Sequence, residues 1–295
     1  MRRARPFLGT IVEIAVTDAG AGAEPAIEQA FDAIADVHRL MSFHDTDSDV
    51  RRLNREAAIR PVSVDDRTLR VLQFALDLNQ RSGGVFDISV ARHLQARGLL
   101  PLHEHDKTAT PCLQSSSRAI ELTPDRLVRF HDPATAIDLG GVAKGFAVDC
   151  AAEALQACGV SAGLVNAGGD IFAFGKKSWP VHIRDPRAPS GFLCELSLCN
   201  EAVASSAGRF DPFHSSSALG TAIVDPRTGE NPGEILGASV RASSCMVADA
   251  LTKVVMLRGE RASASLKYFS ASALFVRGET DVLATSDWQE LRLAG

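Results

Sequence analysis

Two adjacent glycines, Gly140 and Gly141, separate an apolar run ending at Asp138 from a stretch in which Val142, Phe146, Cys150, Ala154, Leu155 and Cys158 keep helical spacing. The pattern predicts a strand, a glycine turn and a helix in direct succession. Glycine tolerates the tight backbone such a junction needs, and the helix would point its first amide groups back toward the turn. A turn of this kind can hold a phosphate or offer carbonyls to a metal, although a glycine pair taken alone is more often a plain connection. Lys144 stands one turn inside the helix, where the helix dipole disfavours a cation. A negatively charged neighbour is therefore expected beside it.

The rest of the chain fixes the setting of that junction. Val12, Ile14 and Val16 alternate with Glu13, as in a half-buried strand, and Ile27, Phe31, Ile34, Val37 and Met41 mark an amphipathic helix from Ala23 to Met41. Asp47 or Ser48 can cap a short helix through Leu53. Asp65 or Asp66 can cap another, carrying Leu69, Leu72 and Leu76 and stopping at Gly83 and Gly84. Beyond Arg118 the texture changes to short apolar runs, AIEL, LVRF, AIDL, GLVNAG, DIFAFG and VHIR, broken by Asp, Pro and Gly, which reads as sheet. A second helix from about Met246 to Leu257 interrupts the later strands. Without steady βαβ alternation or an internal repeat, the expectation is one compact α+β domain over residues 1–295, with a mixed sheet and flanking helices.

Composition removes several classes of function. With 295 residues, 45% apolar and 23% charged, the chain is an ordinary globular one, and a net charge of -5 without a long basic run argues against nucleic acid. No stretch of about 18 apolar residues predicts a membrane helix. Arg2, Arg3 and Arg5 begin the chain as in a signal peptide, but Gly9, Thr10 and Glu13 break the apolar run that should follow, so the expected location is the cytoplasm. The six cysteines, Cys112 among them, form no CxxC pair, and the eight histidines, including His103, His105 and His214, form no metal-binding pair on a helix face. The hydrolase elbow, the phosphate loop and the dinucleotide fingerprint are all missing.

Asp249, Thr252 and Lys253 share one face of the second helix, where a carboxylate and a hydroxyl at that spacing can hold a hard cation such as Mg2+. Asp249 reads equally as a carboxylate near the helix start and as a polar group aimed into a site. Val85, Phe86 and Asp87 follow a helix stop, while NAGGD (166–170) and IVDPRTGE (223–230) are turns rich in Gly, Asp and Pro. Each is ordinary singly.

Taken in order, FLGTIVEI, MSFHDTDSDVRRLN, GGVFDISV, IDLGGVAKGFAVD, GLVNAGGDIFAFG, SSAGRF, IVDPRTG and VADALTK resemble the ApbE family of FAD:protein FMN transferases, from about Leu8 to Lys253. The resemblance implies that FAD is bound with Mg2+ and that FMN passes to a Ser or Thr hydroxyl of an acceptor flavoprotein, releasing AMP. Some family members instead hydrolyse FAD to FMN and AMP, and a flavin-binding protein without catalysis is the non-enzyme alternative. By resemblance, Leu8, Phe43, Val85, Phe86, Asp87, Asp138, Lys144 and Ile223 contact FAD. Gly141 through its carbonyl, Asp249 and Thr252 are implied metal ligands, and Asp249 and Lys253 stand at the reacting end. Two departures are visible. Lys253 stands where the family commonly has Thr, four residues after the metal-binding Asp, and Gly220, Thr221 and Ala222 stand where a His often precedes the DPRTG turn. The base for the acceptor hydroxyl would then be His214, another group or none.

Overall fold

The computed structural model describes residues 1–17, 20, 22–102, 116–188, 190–208 and 221–288. The helices are α1 (Ala23–Met41), α2 (Asp49–Glu56), α3 (Asp66–Arg81), α4 (Ala91–Ala96), α5 (Ala143–Ala157), α6 (Cys245–Arg258) and α7 (Ser263–Tyr268). The first strands are β1 (Arg2–Phe7), β2 (Thr10–Val16), β3 (Val62–Ser63), β4 (Ile120–Leu122), β5 (Leu127–Phe130), β6 (Gly163–Ala167) and β7 (Asp170–Phe174). They are followed by β8 (Trp179–Arg184), β9 (Phe192–Leu198), β10 (Glu201–Ala207), β11 (Ile235–Ala242), β12 (Ser272–Arg277) and β13 (Asp281–Ala284). Eight strands make the main sheet in the order β1-β2-β6-β7-β10-β11-β12-β13, with a small β3-β5-β4 sheet and a β8-β9 ribbon apart from it. The α+β class is as expected. Every pairing in these sheets is antiparallel, so the sheet is not the mixed one the sequence suggested.

Both faces of the main sheet are covered, and period-2 alternation sorts its side chains between them. On β12, Ala273 and Phe275 join the core formed with α1, α5 and α6, whereas Leu274 and Val276 join a second core under the β8-β9 ribbon. Buried strands of this kind read as continuous apolar runs, and the four residues Ala273–Val276 are all buried.

Two stretches differ from the sequence reading. Arg2–Phe7, for which the sequence suggests no strand, is an edge strand paired with β2. Its arginines are paired across the surface, Arg3 with Glu24 and Arg5 with Glu28, in keeping with charged side chains on a sheet edge. The AIDL run (136–139) is not a strand. Its backbone is satisfied instead by the Asn54 side chain, which accepts from Ile137 N at 2.7 Å and donates to Ile137 O at 2.9 Å, and by Ile88 O, which accepts from Asp138 N at 2.8 Å. A side-chain amide that mimics a neighbouring strand leaves no local signal in the apolar pattern.

Helices α5 and α6 meet with backbone almost touching backbone. A Cβ on Gly145 would lie 2.3 Å from Cys245 O and 2.7 Å from Asp249 Cβ, so no other residue fits there. One turn on, Asp149 of α5 caps the start of α6. Its carboxylate accepts from Cys245 N at 2.7 Å, Met246 N at 2.9 Å and Ser244 Oγ at 2.8 Å. Burial pushes the Asp149 carboxyl up, and these donors oppose that shift. The two contacts lock the register of the helix pair. Gly145→Ala is expected to lower unfolding stability by about 3 kcal/mol or more, because backbone rather than a flexible side chain must move; chemical denaturation measures it. A loss under about 1 kcal/mol would show that the pair can slide.

Candidate active site

Four charged side chains gather where α5 and α6 meet the sheet. Asp249, fully buried on α6, accepts from Gly145 N at 3.0 Å through Oδ2, and its Oδ1 is held by the Lys253 ammonium. Lys253 also donates to Asp249 O at 3.0 Å. Thr252 donates to the same carbonyl at 2.6 Å, and Ser206 Oγ of β10 lies 2.8 Å from the Thr252 hydroxyl. Lys144, beside Gly145, reaches the carboxylate of Asp170, which is 1% exposed. The anion that the position of Lys144 called for is thus Asp170.

Asp170 is there because of a hairpin. Gly168 and Gly169, with φ of 63° and 103°, form a two-residue turn between β6 and β7 in which Ala167 faces Asp170. Asn166 Oδ1 accepts from Gly169 N at 2.9 Å, and a Cβ on Gly168 would lie 2.5 Å from Thr10 Oγ1. Thr10 follows another two-residue turn, Leu8 and Gly9 with φ of 54° and 71°. The predicted contact Leu8 therefore sits at a hairpin tip next to the NAGGD turn. Leu8 holds a left-handed conformation that costs a branched residue on the order of 1 kcal/mol. By composition NAGGD is an ordinary turn, and the one sequence signal that points to Asp170 is the otherwise unexplained Lys144.

The electrostatics follow from burial and pairing. Burial pushes the Asp249 carboxyl up, but the Lys253 and Lys144 ammonium groups and the Gly145 N–H outweigh it, so it lies below the usual carboxylate value. Asp170 goes the other way: burial and the nearby Asp249 charge outweigh Lys144 and Lys253 and raise it. Burial lowers the Lys144 ammonium, but Asp170 and Asp249 outweigh it, so Lys144 is held above the usual lysine value. The cluster holds two acids and two lysines and is formally neutral.

The predicted flavin contacts divide into two groups. A Cβ on Gly141 would lie 3.6 Å from Lys253 Cε and 3.8 Å from the Phe86 ring, so Gly141, Phe86 and Lys253 share one spot. Asp138, half-buried, accepts from Gly140 N at 3.1 Å in the turn before α5; burial raises its carboxyl. Phe43, Val85 and Phe86 are each 4% exposed and belong to the main core, with the Arg51 guanidinium 5.6 Å over the Phe43 ring. Asp87 holds its own loop together. It accepts from Ser89 N at 2.8 Å, Ser89 Oγ at 2.6 Å, Asn79 Nδ2 at 3.0 Å, Ser117 N at 3.1 Å and Ser117 Oγ, which fills the acceptor sites of a carboxylate. Ile223 is core, and the Asp225 turn after it docks on α4, where His93 Nε2 lies 3.1 Å from Pro226 O and Arg97 donates to Gly229 O at 3.0 Å. His103, His105, Cys112 and His214 lie outside the described residues, as do Arg209 and Phe210 of SSAGRF.

Most of the amides at the start of α5 are already taken. Val142 N and Ala143 N donate to Leu139 O, Gly145 N to Asp249 and Phe146 N to Val142 O. Charge on this side comes from lysine ammonium groups instead. The ligand set implied for Mg2+ is likewise engaged: both Asp249 oxygens and the Thr252 hydroxyl have protein partners, and Lys253 stands between Asp249 and Gly141. Among the described residues no group of three or more His, Cys, Asp and Glu side chains is arranged to hold a metal ion. A divalent ion does not fit beside Asp249 in this arrangement. A cavity of about 190 Å³ lined by Gly208, Thr221, Asn231 and Ile235 opens just past Ser206, and another of about 650 Å³ is lined by Glu201, Arg241, Lys267 and Ser272. Neither is lined by the four charged residues. Among the described residues no helix is long and apolar enough to cross a membrane.

Known proteins resemble this chain over nearly all of it. The FAD:protein FMN transferase of Vibrio cholerae serotype O1 is 28% identical over 268 residues, covering 86% of this chain and 80% of the relative. That of Treponema pallidum is 28% identical over 314 residues, covering 96% and 86%. Among solved structures, the ApbE protein of Thermotoga maritima superposes with a TM-score of 0.86 at 22% identity, over 100% of this chain and 99% of that one. The flavin transferase ApbE of Vibrio cholerae gives 0.81 at 23% identity, over 98% of each chain. The profile of the ApbE family matches residues 8–275, and the chain belongs to that family.

Proposed function

We propose that this chain, acting as one unit over residues 1–295, transfers FMN from FAD to a Ser or Thr hydroxyl of an acceptor flavoprotein. The observation that carries the reading is the pair of partly buried lysines, Lys144 and Lys253, each braced by its own buried carboxylate near the spot where Gly141 and Phe86 also lie. Two ammonium groups suit a pyrophosphate, whose oxygens gain negative charge as the bond between the FMN phosphorus and the bridging oxygen breaks. In the balanced step the acceptor oxygen forms a bond to the FMN phosphorus, the bridging oxygen leaves with AMP, and the hydroxyl proton is released. Lys144 and Lys253 neutralise the oxygens. Asp170 and Asp249 hold the two ammonium groups in place, and the buried surround of Phe86 and Val85 limits water, which would otherwise take the place of the acceptor hydroxyl. Leu8, Phe43, Asp138 and Ile223 are proposed to border the flavin nucleotide. The family resemblance implies Mg2+ at Gly141, Asp249 and Thr252, but both Asp249 oxygens and the Thr252 hydroxyl are already engaged by protein groups. The five described cysteines are free, which suits the reducing cytoplasm expected from the sequence.

Incubation with FAD, Mg2+ and a peptide carrying Asp, Ala and Thr near its target hydroxyl tests the reading. A fluorescent peptide with AMP in equal amount is the expected result; free FMN with AMP would mean a pyrophosphatase, and intact bound FAD a carrier. Asp249→Ala is expected to abolish turnover, since it leaves the Lys253 ammonium buried without its partner. Asp170→Asn removes the charge that holds Lys144 and is expected to lower kcat/KM by about tenfold or more, with the fold retained by circular dichroism. Unchanged kcat/KM in that variant would remove Lys144 from the site.

A further inference from the structure

We propose that Lys253 is the resident cation of this site, its ammonium occupying the place of a divalent ion, so that the chain engages pyrophosphate without a metal at Asp249. The proposal rests on the flavin reading for its ligand, but its geometry stands on the protein alone.

Asp249 has two carboxylate oxygens, and each is in use: Gly145 N–H on one at 3.0 Å, the Lys253 ammonium on the other. The lysine is 14% exposed and donates a second time, to Asp249 O at 3.0 Å. Its Cε lies 3.6 Å from the Cβ position of Gly141. The ammonium therefore lies among the groups that would otherwise surround an ion, namely the Asp249 carboxylate, the Gly141 turn and the Thr252 turn of α6. Thr252 is committed elsewhere: its hydroxyl donates to Asp249 O at 2.6 Å and pairs with Ser206 Oγ at 2.8 Å, and the residue is fully buried. Helical spacing explains the division. Residue 253 is four positions after Asp249 and lies over its side chain, the favourable order of acid before base, whereas residue 252 turns toward β10.

Charge balance points the same way. Lys144 and Lys253 both act on Asp249, and with Asp170 the cluster is already neutral. A dication brought to Asp249 would meet two ammonium groups held close by, with both nearby acids already paired to them. An ammonium differs from a hexahydrated ion in ways that matter for phosphate: it offers one positive charge and three directed donors, it is tethered, and a chelator cannot remove it. Within α6, Lys253 needs only to rotate its outer methylenes to exchange the Asp249 carboxylate for a phosphate oxygen.

The test separates this proposal from the flavin reading by measuring the cation site first without FAD. Mn2+ serves as the probe, followed by the paramagnetic resonance signal of the free ion. Wild-type protein is expected to leave that signal unchanged, while Lys253→Thr takes up one Mn2+ per chain and Lys253→Thr combined with Asp249→Asn does not. FAD affinity, read from flavin fluorescence, is then compared in chelator and in Mg2+. The wild type should change by less than about threefold, Lys253→Thr should weaken by about tenfold or more in chelator and recover with Mg2+, and Lys253→Met should stay weak in both. Wild-type uptake of one Mn2+ that Asp249→Asn removes would overturn the proposal. So would a wild type that needs Mg2+ to bind FAD, or a Lys253→Met variant that binds FAD in chelator as tightly as the wild type. A wild type that binds no FAD under either condition would defeat the flavin reading, and the Mn2+ result would still decide which cation the Asp249 carboxylate holds.

Discussion

The contact on which the rest depends is the one between α5 and α6 at Gly145. Two helices brought this close exchange a hydrogen bond that helices at ordinary separation cannot, from the Gly145 amide of one to the Asp249 carboxylate of the other. Helices usually pack with axes 8–10 Å apart because side chains intervene, and a glycine at the crossing removes that spacer. The approach is held from its other end by Asp149, which places three donors of the α6 start on a single carboxylate of α5. Once the two helices are fixed in this register, the backbone positions that carry Lys144 and Lys253 are fixed relative to one another.

Four aspartates in this region illustrate how similar chemistry serves different ends. Asp149 and Asp87 spend their acceptor capacity on backbone amides and hydroxyls, folding a helix start and a loop respectively. Asp170 and Asp249 each hold an ammonium instead. The difference matters because a carboxylate saturated by neutral donors has nothing left for a ligand, whereas one paired with a lysine presents a cation that can turn toward an incoming anion. Asp87, which the family resemblance assigns to the nucleotide, falls in the first group.

Helix α1 is legible from periodicity alone, and α2 and α3 because periodicity and caps agree: Ser48 accepts from Arg51 N and Asp65 from Arg67 N at the two starts the sequence marks. The strands GLVNAG and DIFAFG were legible for the same reason, with glycines at the turn between them. What escaped were features held by distant partners. β1 is polar and contains a proline, and it is a strand only because β2 offers an edge. AIDL has the apolar content of a strand, but Asn54, 83 residues away in sequence, supplies its pairing. The six-residue α4 carries no clear amphipathic pattern, yet it seats the Asp225 turn through His93 and Arg97. In the site, Asp138, Lys144 and Asp249 stand out by position alone, while Asp170 can be recognised only through the lysine it neutralises.

That last case shows what a misplaced charge in a sequence is worth. A lysine in the first turn of a helix is unfavourable by a few tenths of a kcal/mol up to about 1 kcal/mol, and a buried one is far more so. A fold keeps such a residue only if something compensates it locally, and the compensating group must come from another element, since the helix start itself is positive. Lys144 thus predicts a long-range contact, here across 26 residues to the start of β7. The same reasoning applied to Lys253 gives a different answer: its partner is four residues back on its own helix, so no tertiary contact is needed to explain it. Lys144 is tied into the meeting of helix and sheet, whereas the partner of Lys253 lies within its own helix. Of the two lysines, Lys253 is therefore the one whose place is explained by a single element, through the same Asp249 that receives the Gly145 amide.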